Sequence, residues 1–73
     1  MNVSATNEAI KLCLAEICSK LDEAARLARA AQACVQAGSV AEGMEVSMDI
    51  EQLIYETGRL HDAASLMHRL TRK

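Results

Sequence analysis

The 73 residues carry ten acidic and eight basic side chains, a formal net charge of −2, and no proline, phenylalanine or tryptophan. This nearly balanced charge gives no general affinity for nucleic acid, and no run reaches the roughly 18 consecutive apolar residues that a membrane-spanning helix needs. Of all residues 51% are apolar, mainly Ala, Leu, Ile, Met and Val. Because Ala, Leu and Met lose little side-chain freedom in a helix and no proline interrupts one, the composition predicts an all-α chain.

The cysteines and the first residues bear on localisation. Three cysteines, an odd number at spacings unlike those of a zinc ribbon or a secreted disulfide framework, indicate a reducing compartment. The first eleven residues, MNVSATNEAIK, lack the basic start and the apolar core of a signal peptide. We therefore expect a cytoplasmic protein without a membrane segment. No cofactor motif is recognisable, and we expect no cofactor.

The first helix is expected at residues 6–37, with Ser4, Thr6 and Asn7 as candidate caps. Apolar residues follow at alternating steps of four and three, the spacing that turns one stripe of a helix toward a partner. These residues are Ile10, Leu14, Ile17, Leu21, Ala24, Ala28, Ala31 and Val35. Other apolar positions widen the stripe on both flanks; they are Cys13, Leu27 and Cys34 on one side, and Cys18 and Ala25 on the other. One partner helix cannot cover so wide an arc.

A turn is expected at residues 38–39. Gly38 suits the left-handed conformation that ends a helix, and Ser39 and Glu42 have the spacing of a capping box that begins the next one. The second helix is expected at residues 40–72, with its own seam at Val46, Ile50, Leu53, Thr57, Leu60, Ala64 and Met67. A glycine beside a strong cap favours a tight antiparallel hairpin over one continuous helix.

Folding the chain about this turn pairs positions whose numbers sum to about 77. The pairing sets small residues of the first helix against large ones of the second, which allows close approach near the turn. The expected pairs are Ala24 with Leu53, Ala28 with Ile50, and Ala31 with Val46. We therefore predict a single helical-hairpin domain.

The second helix also carries apolar residues away from its seam. We call Met44, Met48, Tyr55 and Leu66 the Met stripe. At about 100° per residue the four cluster opposite the seam, so the hairpin alone cannot bury them. A core of this size rarely supplies more than about 3–5 kcal/mol without reinforcement. We therefore predict a non-catalytic interaction module, such as a small adaptor, co-chaperone or regulatory protein. It would self-associate, preferably as a dimer forming a four-helix bundle, and the Met stripe would form the subunit interface or dock a protein partner.

A metal site is an alternative prediction from Cys13, Cys18, His61 and His68, which share the open end of the hairpin. Their spacing does not favour it. His61 and His68 are seven residues apart, which is about 10 Å along the helix axis. Cys13 and Cys18 are five residues apart, which is not the one-turn spacing with which two residues of a helix usually bind the same metal ion. We expect no metal, and no enzyme activity, because a two-helix rod offers no evident cleft with an orienting group and an oxyanion site.

In shape, the predicted architecture resembles the Rop type of homodimeric four-helix bundle. In that type, two helical hairpins associate antiparallel and one face binds paired RNA loops. The resemblance implies nucleic-acid binding as a second alternative, and here it would involve the basic residues Arg69, Arg72 and Lys73. No residue-level match accompanies the shape. Because the chain is acidic overall, these basic residues are better explained as a solvent-exposed last helical turn whose positive charges complement the helix dipole.

Overall fold

The computed structural model describes residues 2–72 and contains two long α-helices packed side by side. Helix α1 spans Val3–Gln36 and helix α2 spans Val40–Thr71. They run antiparallel and form a rod of 55 × 14 × 13 Å. The predicted all-α helical hairpin is confirmed.

Helix α1 begins three residues earlier than predicted, because Asn2 caps it. The Asn2 Oδ1 atom accepts a hydrogen bond from the Ala5 amide at 3.0 Å. The Thr6 hydroxyl, which we had expected to serve as a cap, instead donates to the Asn2 carbonyl at 2.8 Å. Asparagine is as strong a cap as serine or threonine, so the earlier start satisfies the first amides equally well.

The turn between the helices forms where it was predicted. Gly38 has a φ of +99°, a conformation that side chains other than glycine rarely adopt. The Gly38 amide donates to the Val35 carbonyl at 3.0 Å and the Ser39 amide to the Cys34 carbonyl at 2.9 Å, the two bonds of a Schellman motif. The Ser39 hydroxyl accepts from the Glu42 amide at 3.3 Å. The capping box is therefore half formed: the Ser39 amide, which Glu42 was expected to cap, already bonds to the end of α1.

The two seams differ in how well the sequence predicted them. On α2, all seven predicted seam residues are buried or half-buried, which confirms that seam. On α1, the prediction is right for Ile10, Ile17, Ala24 and Ala31 and wrong for the other four, Leu14, Leu21, Ala28 and Val35, which are exposed. Their places are taken by residues one position earlier in the chain, which are half-buried: Cys13, Lys20, Leu27 and Cys34. Compared with the prediction, α1 is rotated about its own axis. The expected pairing of Ala28 with Ile50 is wrong, because Ala28 is exposed.

The register of the hairpin follows the prediction. Lys20 pairs with Glu56, and Gly43 lies against Cys34; the residue numbers of these pairs sum to 76 and 77. Close approach near the turn occurs at Gly43, where a methyl group would lie 2.8 Å from the Ala31 carbonyl oxygen. The sequence reasoning had not singled out this glycine.

Candidate interaction surfaces

The four residues of the Met stripe all lie on the outside of the hairpin. Their exposed fractions range from 49% for Leu66 to 60% for Met48. The hairpin therefore leaves them accessible, as their position opposite the seam requires. Their role as an interface stays a prediction.

Charged residues interrupt the Met stripe. Arg59 and Asp62 stand between Tyr55 and Leu66 on the same side of α2, over a rise of about 16 Å. The Arg59 guanidinium lies over the Tyr55 ring, with its central carbon 6.0 Å from the ring centroid. This is the outer limit of a cation–π contact. Glu51 stands in the same way between Met48 and Tyr55, so the Met stripe is not one continuous apolar surface.

A charged groove runs between the helices on one side of the hairpin. It is open, has a volume of about 410 Å³, and is lined by Glu16, Lys20, Glu56, Arg59, Leu60 and Ala63. The Lys20 Nζ atom lies 2.9 Å from Glu56 Oε1 across the helices and 3.6 Å from Glu16 Oε1 on its own helix. The sequence reasoning missed Lys20, whose seam position suggested a small or apolar residue. The sequence did contain a signal for this ion pair. The residue numbers of Lys20 and Glu56 sum to 76, close to the sum of about 77 expected for residues that face each other across the hairpin.

The ion pair shifts the pKa of both partners toward their charged forms. The pKa of Glu56 lies below the ordinary glutamate value of 4.5, chiefly because the Gln52 amide donates a hydrogen bond to the carboxylate at 3.0 Å, and next because of Lys20. The pKa of Lys20 is raised, chiefly by its hydrogen bond to Glu56, although partial desolvation opposes the shift. The groove therefore holds a structural ion pair whose charges are stabilised over the whole neutral range.

The basic residues at the end of α2 are only partly described. Arg69 lies in the last turn and Arg72 caps the helix through its amide, which donates to the His68 carbonyl at 3.2 Å. Both side chains are exposed. Lys73 lies outside the described residues. Cations at a helix C-terminus interact favourably with the helix dipole, so this position alone explains the two arginines.

The cysteines and histidines do not assemble into a site. Cys13 and Cys34 are half-buried, Cys18 is exposed, and all three thiols are free. His61 and His68 are exposed on α2. Within residues 2–72, no group of three or more His, Cys, Asp or Glu side chains has a geometry that could hold a metal ion.

Neither α1 nor α2, over residues 2–72, combines the length and the apolar content that crossing a bilayer would require. Their exposed apolar side chains are instead spread along helices that also carry many charges.

The most apolar exposed residues include several that were expected inside the hairpin. Leu14, Leu21 and Val35 are 43–49% exposed on one side of α1. The signal that could have identified them was the width of the apolar arc on α1, which predicted that one helix could not cover it. The sequence could not tell which edge of that arc would remain uncovered.

Comparisons with known proteins do not place the chain in a family. No protein-family model, curated protein or solved structure matches it. Its likeness to the Rop type therefore remains one of predicted shape, and no residue role is carried over from that type. What the chain does has to be inferred from the surfaces of the hairpin.

Proposed function

We propose that this chain is a non-catalytic helical interaction module whose hairpins associate with one another, preferably as a dimer that forms a four-helix bundle. An adaptor, a co-chaperone or a small regulatory protein would use such a module. The observation that carries the proposal is the imbalance between the apolar surface that the hairpin buries and the apolar surface that it leaves exposed.

The buried core is small. Within residues 2–72 the apolar side chains that are less than about a tenth exposed are those of Ala24, Leu53 and Ala64, and two of these are alanines. Twelve large apolar side chains in the same range are 43–72% exposed. Removing apolar surface from water stabilises by about 25 cal/mol per Å², so covering these side chains is the largest gain still open to the chain. Contiguous exposed apolar patches are typical of interaction sites, and Leu14, Leu21 and Val35 follow one another along one side of α1.

The polar groups that the hairpin brings together do not favour catalysis. A lysine with a raised pKa is a poor nucleophile and base, and a glutamate with a lowered pKa is a poor general acid. The Glu56 carboxylate has its shift chiefly through the hydrogen bond from Gln52 and next through Lys20, and Lys20 has its shift chiefly through the hydrogen bond to Glu56. The groove around them is open to water, which weakens electrostatic effects on a bound molecule. These features support a binding role for the hairpin.

Sedimentation equilibrium and thermal melting over about 1–100 µM protein test the proposal. We expect a mass of at least twice the 7.9 kDa of one chain. We also expect a melting temperature that rises with protein concentration, because association stabilises the folded chain by mass action. A mass of 7.9 kDa with the same melting temperature at every concentration would contradict self-association. Ala30→Ser serves as a control, since Ala30 is an exposed position of α1 that is not among the large apolar side chains and its change should leave the mass unchanged.

A further inference from the structure

The first half of α2, residues 40–56, concentrates negative charge, and we call it the acidic half. It carries five carboxylates and no Lys, Arg or His. Four of these carboxylates are exposed: those of Glu42, Glu45, Asp49 and Glu51. Every ion pair among residues 2–72 involves Lys11 or Lys20, and none involves these four carboxylates. The hairpin therefore leaves their charge unmatched.

The acidic half also exposes three large apolar side chains on the side opposite its seam. Met44, Met48 and Tyr55 are 56–60% exposed. They are separated by four and by seven residues, so they form one row along α2 with a length of about 16 Å. About eleven residues of a second helix would cover this length.

Carboxylates border this row on both sides. At about 100° per residue, Glu45 and Asp49 lie on the flank of the row that turns toward the charged groove. Glu51 lies on the opposite flank and interrupts the row between Met48 and Tyr55. A surface that is apolar along its middle and negative at its edges complements a helix whose apolar stripe is bordered by Lys or Arg. The same charges repel the phosphate groups of nucleic acids and anionic lipids.

The contact of Arg59 with Tyr55 shows that one end of the row attracts a cation. The guanidinium of Arg59 lies over the Tyr55 ring, 6.0 Å from its centroid. Beyond this contact the charge of the helix reverses, because residues 57–72 carry three arginines and one carboxylate. A basic partner therefore finds complementary charge beside the row and repulsion beyond Tyr55, which limits the surface to the acidic half.

We propose that the acidic half of α2 docks a basic amphipathic helix of a protein partner. The apolar stripe of that helix packs on Met44, Met48 and Tyr55, and its Lys or Arg side chains pair with Glu45 and Asp49. Methionine suits such a surface because its flexible thioether adapts to the side chains that it meets. An amphipathic helix laid along an apolar surface is a recurrent mode of peptide recognition. This inference rests on the proposed interaction module and names the chemistry of its partner.

A synthetic peptide without aromatic residues is a direct probe, because Tyr55 is the only aromatic residue of the chain. The peptide has about 15 residues of Leu, Ala and Lys, with the leucines at helical spacing and the lysines beside them. We expect it to change the tyrosine fluorescence, and we expect its dissociation constant to rise between about 50 and 300 mM salt, because salt screens the charges. A peptide with Glu in place of Lys should not bind. Failure of the basic peptide to bind would contradict the proposal.

Two double variants separate this surface from the general acidity of the chain. Glu45→Gln with Asp49→Asn removes two charges beside the row, whereas Glu8→Gln with Asp22→Asn removes two exposed charges of α1. We expect the first pair of changes to weaken peptide binding at least about fivefold and the second pair by less than about twofold. Equal losses would show a non-specific attraction to an acidic protein and would overturn the proposal. Circular dichroism checks that both variants are as helical as the unaltered protein.

Met48→Ser tests the apolar row and its competing occupant, a second copy of the chain. We expect this variant to bind the peptide at least about tenfold more weakly, because side chains at the centre of an interface contribute most of the binding energy. Leu12→Ser, which changes an exposed leucine of α1, is the matched control and should bind as the unaltered protein does. In sedimentation equilibrium we expect Met48→Ser to keep the mass of the unaltered protein.

The outcomes separate this inference from the proposed self-association. An oligomer that Met48→Ser dissociates would show that a second copy covers the row, which overturns the docking of a partner helix while self-association stands. An oligomer that does not bind the basic peptide would have the same meaning for the partner helix. A protein that is monomeric at every concentration and binds the peptide through the row would contradict self-association alone.

Discussion

A methyl group added at Gly43 tests the closest contact between the two helices. In Gly43→Ala the new carbon would lie 2.6 Å from Val35 Cγ2 and 2.8 Å from the Ala31 carbonyl oxygen. The Val35 side chain is 44% exposed, so it has room to turn away. The oxygen belongs to the α1 backbone and has no such freedom. The helices must therefore separate by several tenths of an ångström near the turn.

The magnitude follows from two opposing effects. Overpacking of a close contact costs about 1–3 kcal/mol, whereas alanine in a helix is more favourable than glycine by about 1 kcal/mol. We expect the free energy of unfolding to fall by a net amount of about 1 kcal/mol, within a range of about 0–2 kcal/mol. For a domain of this size, 1 kcal/mol corresponds to a drop in melting temperature of about 4–8 °C.

Thermal and urea unfolding followed by circular dichroism measure this change. All variants are compared at one protein concentration, because association contributes to the apparent stability. Ala30→Gly is the matched control: Ala30 is an exposed position of α1, so this substitution measures the helix propensity difference alone. The reasoning is refuted if Gly43→Ala raises stability by as much as Ala30→Gly lowers it, since the contact with Ala31 would then cost nothing.

Two further substitutions examine the core and the ion pair. Leu53→Ala should lower the free energy of unfolding by about 2–5 kcal/mol, because this side chain is only 9% exposed. Leu12→Ala should change it by less than about 0.5 kcal/mol. Equal losses of the two variants in urea unfolding would contradict the assigned core. Because the pKa of Glu56 is lowered by folding, its carboxylate contributes stability above the ordinary value of 4.5 and loses that contribution as the pH falls through the folded-state value. The unaltered protein should therefore be more stable than Glu56→Gln at neutral pH, and this difference in stability should shrink in thermal melts carried out at about pH 3. A difference that is the same at both pH values would show that the charge of Glu56 is not what stabilises the ion pair.

The sequence predicted those parts of the fold for which only one arrangement satisfied the pattern. Gly38 and Ser39 together allow little besides a turn, and α2 has one strong seam, so the turn and that seam are confirmed. Helix α1 offered two heptads, and hydrophobicity selected the one containing Leu21. The hairpin buries the one containing Lys20, and in this rotation Lys20 reaches Glu56 and α1 approaches Gly43 closely.

The candidate surface could be predicted less well, for a related reason. The Met stripe follows from helical geometry alone, since residues opposite a seam must be exposed. Its interruption at Arg59 was already present in the sequence, one helical turn after Tyr55, but the geometry of their contact was not. The exposure of Leu14, Leu21 and Val35 could not be foreseen, because it depends on the rotation of α1 about its own axis.

The error on α1 itself carries information about assembly. Hydrophobic periodicity reports which residues are buried in the final state of a protein, and that state includes any partner. Leu14, Leu21 and Val35 follow the heptad as strictly as the residues that α2 covers, yet the hairpin leaves 43–49% of each side chain exposed. The prediction from periodicity is therefore wrong for the hairpin alone, and the self-association that we propose offers these side chains the burial that the pattern predicts. In such an assembly folding and association are one coupled process, in which a second hairpin completes the core that Leu53 begins.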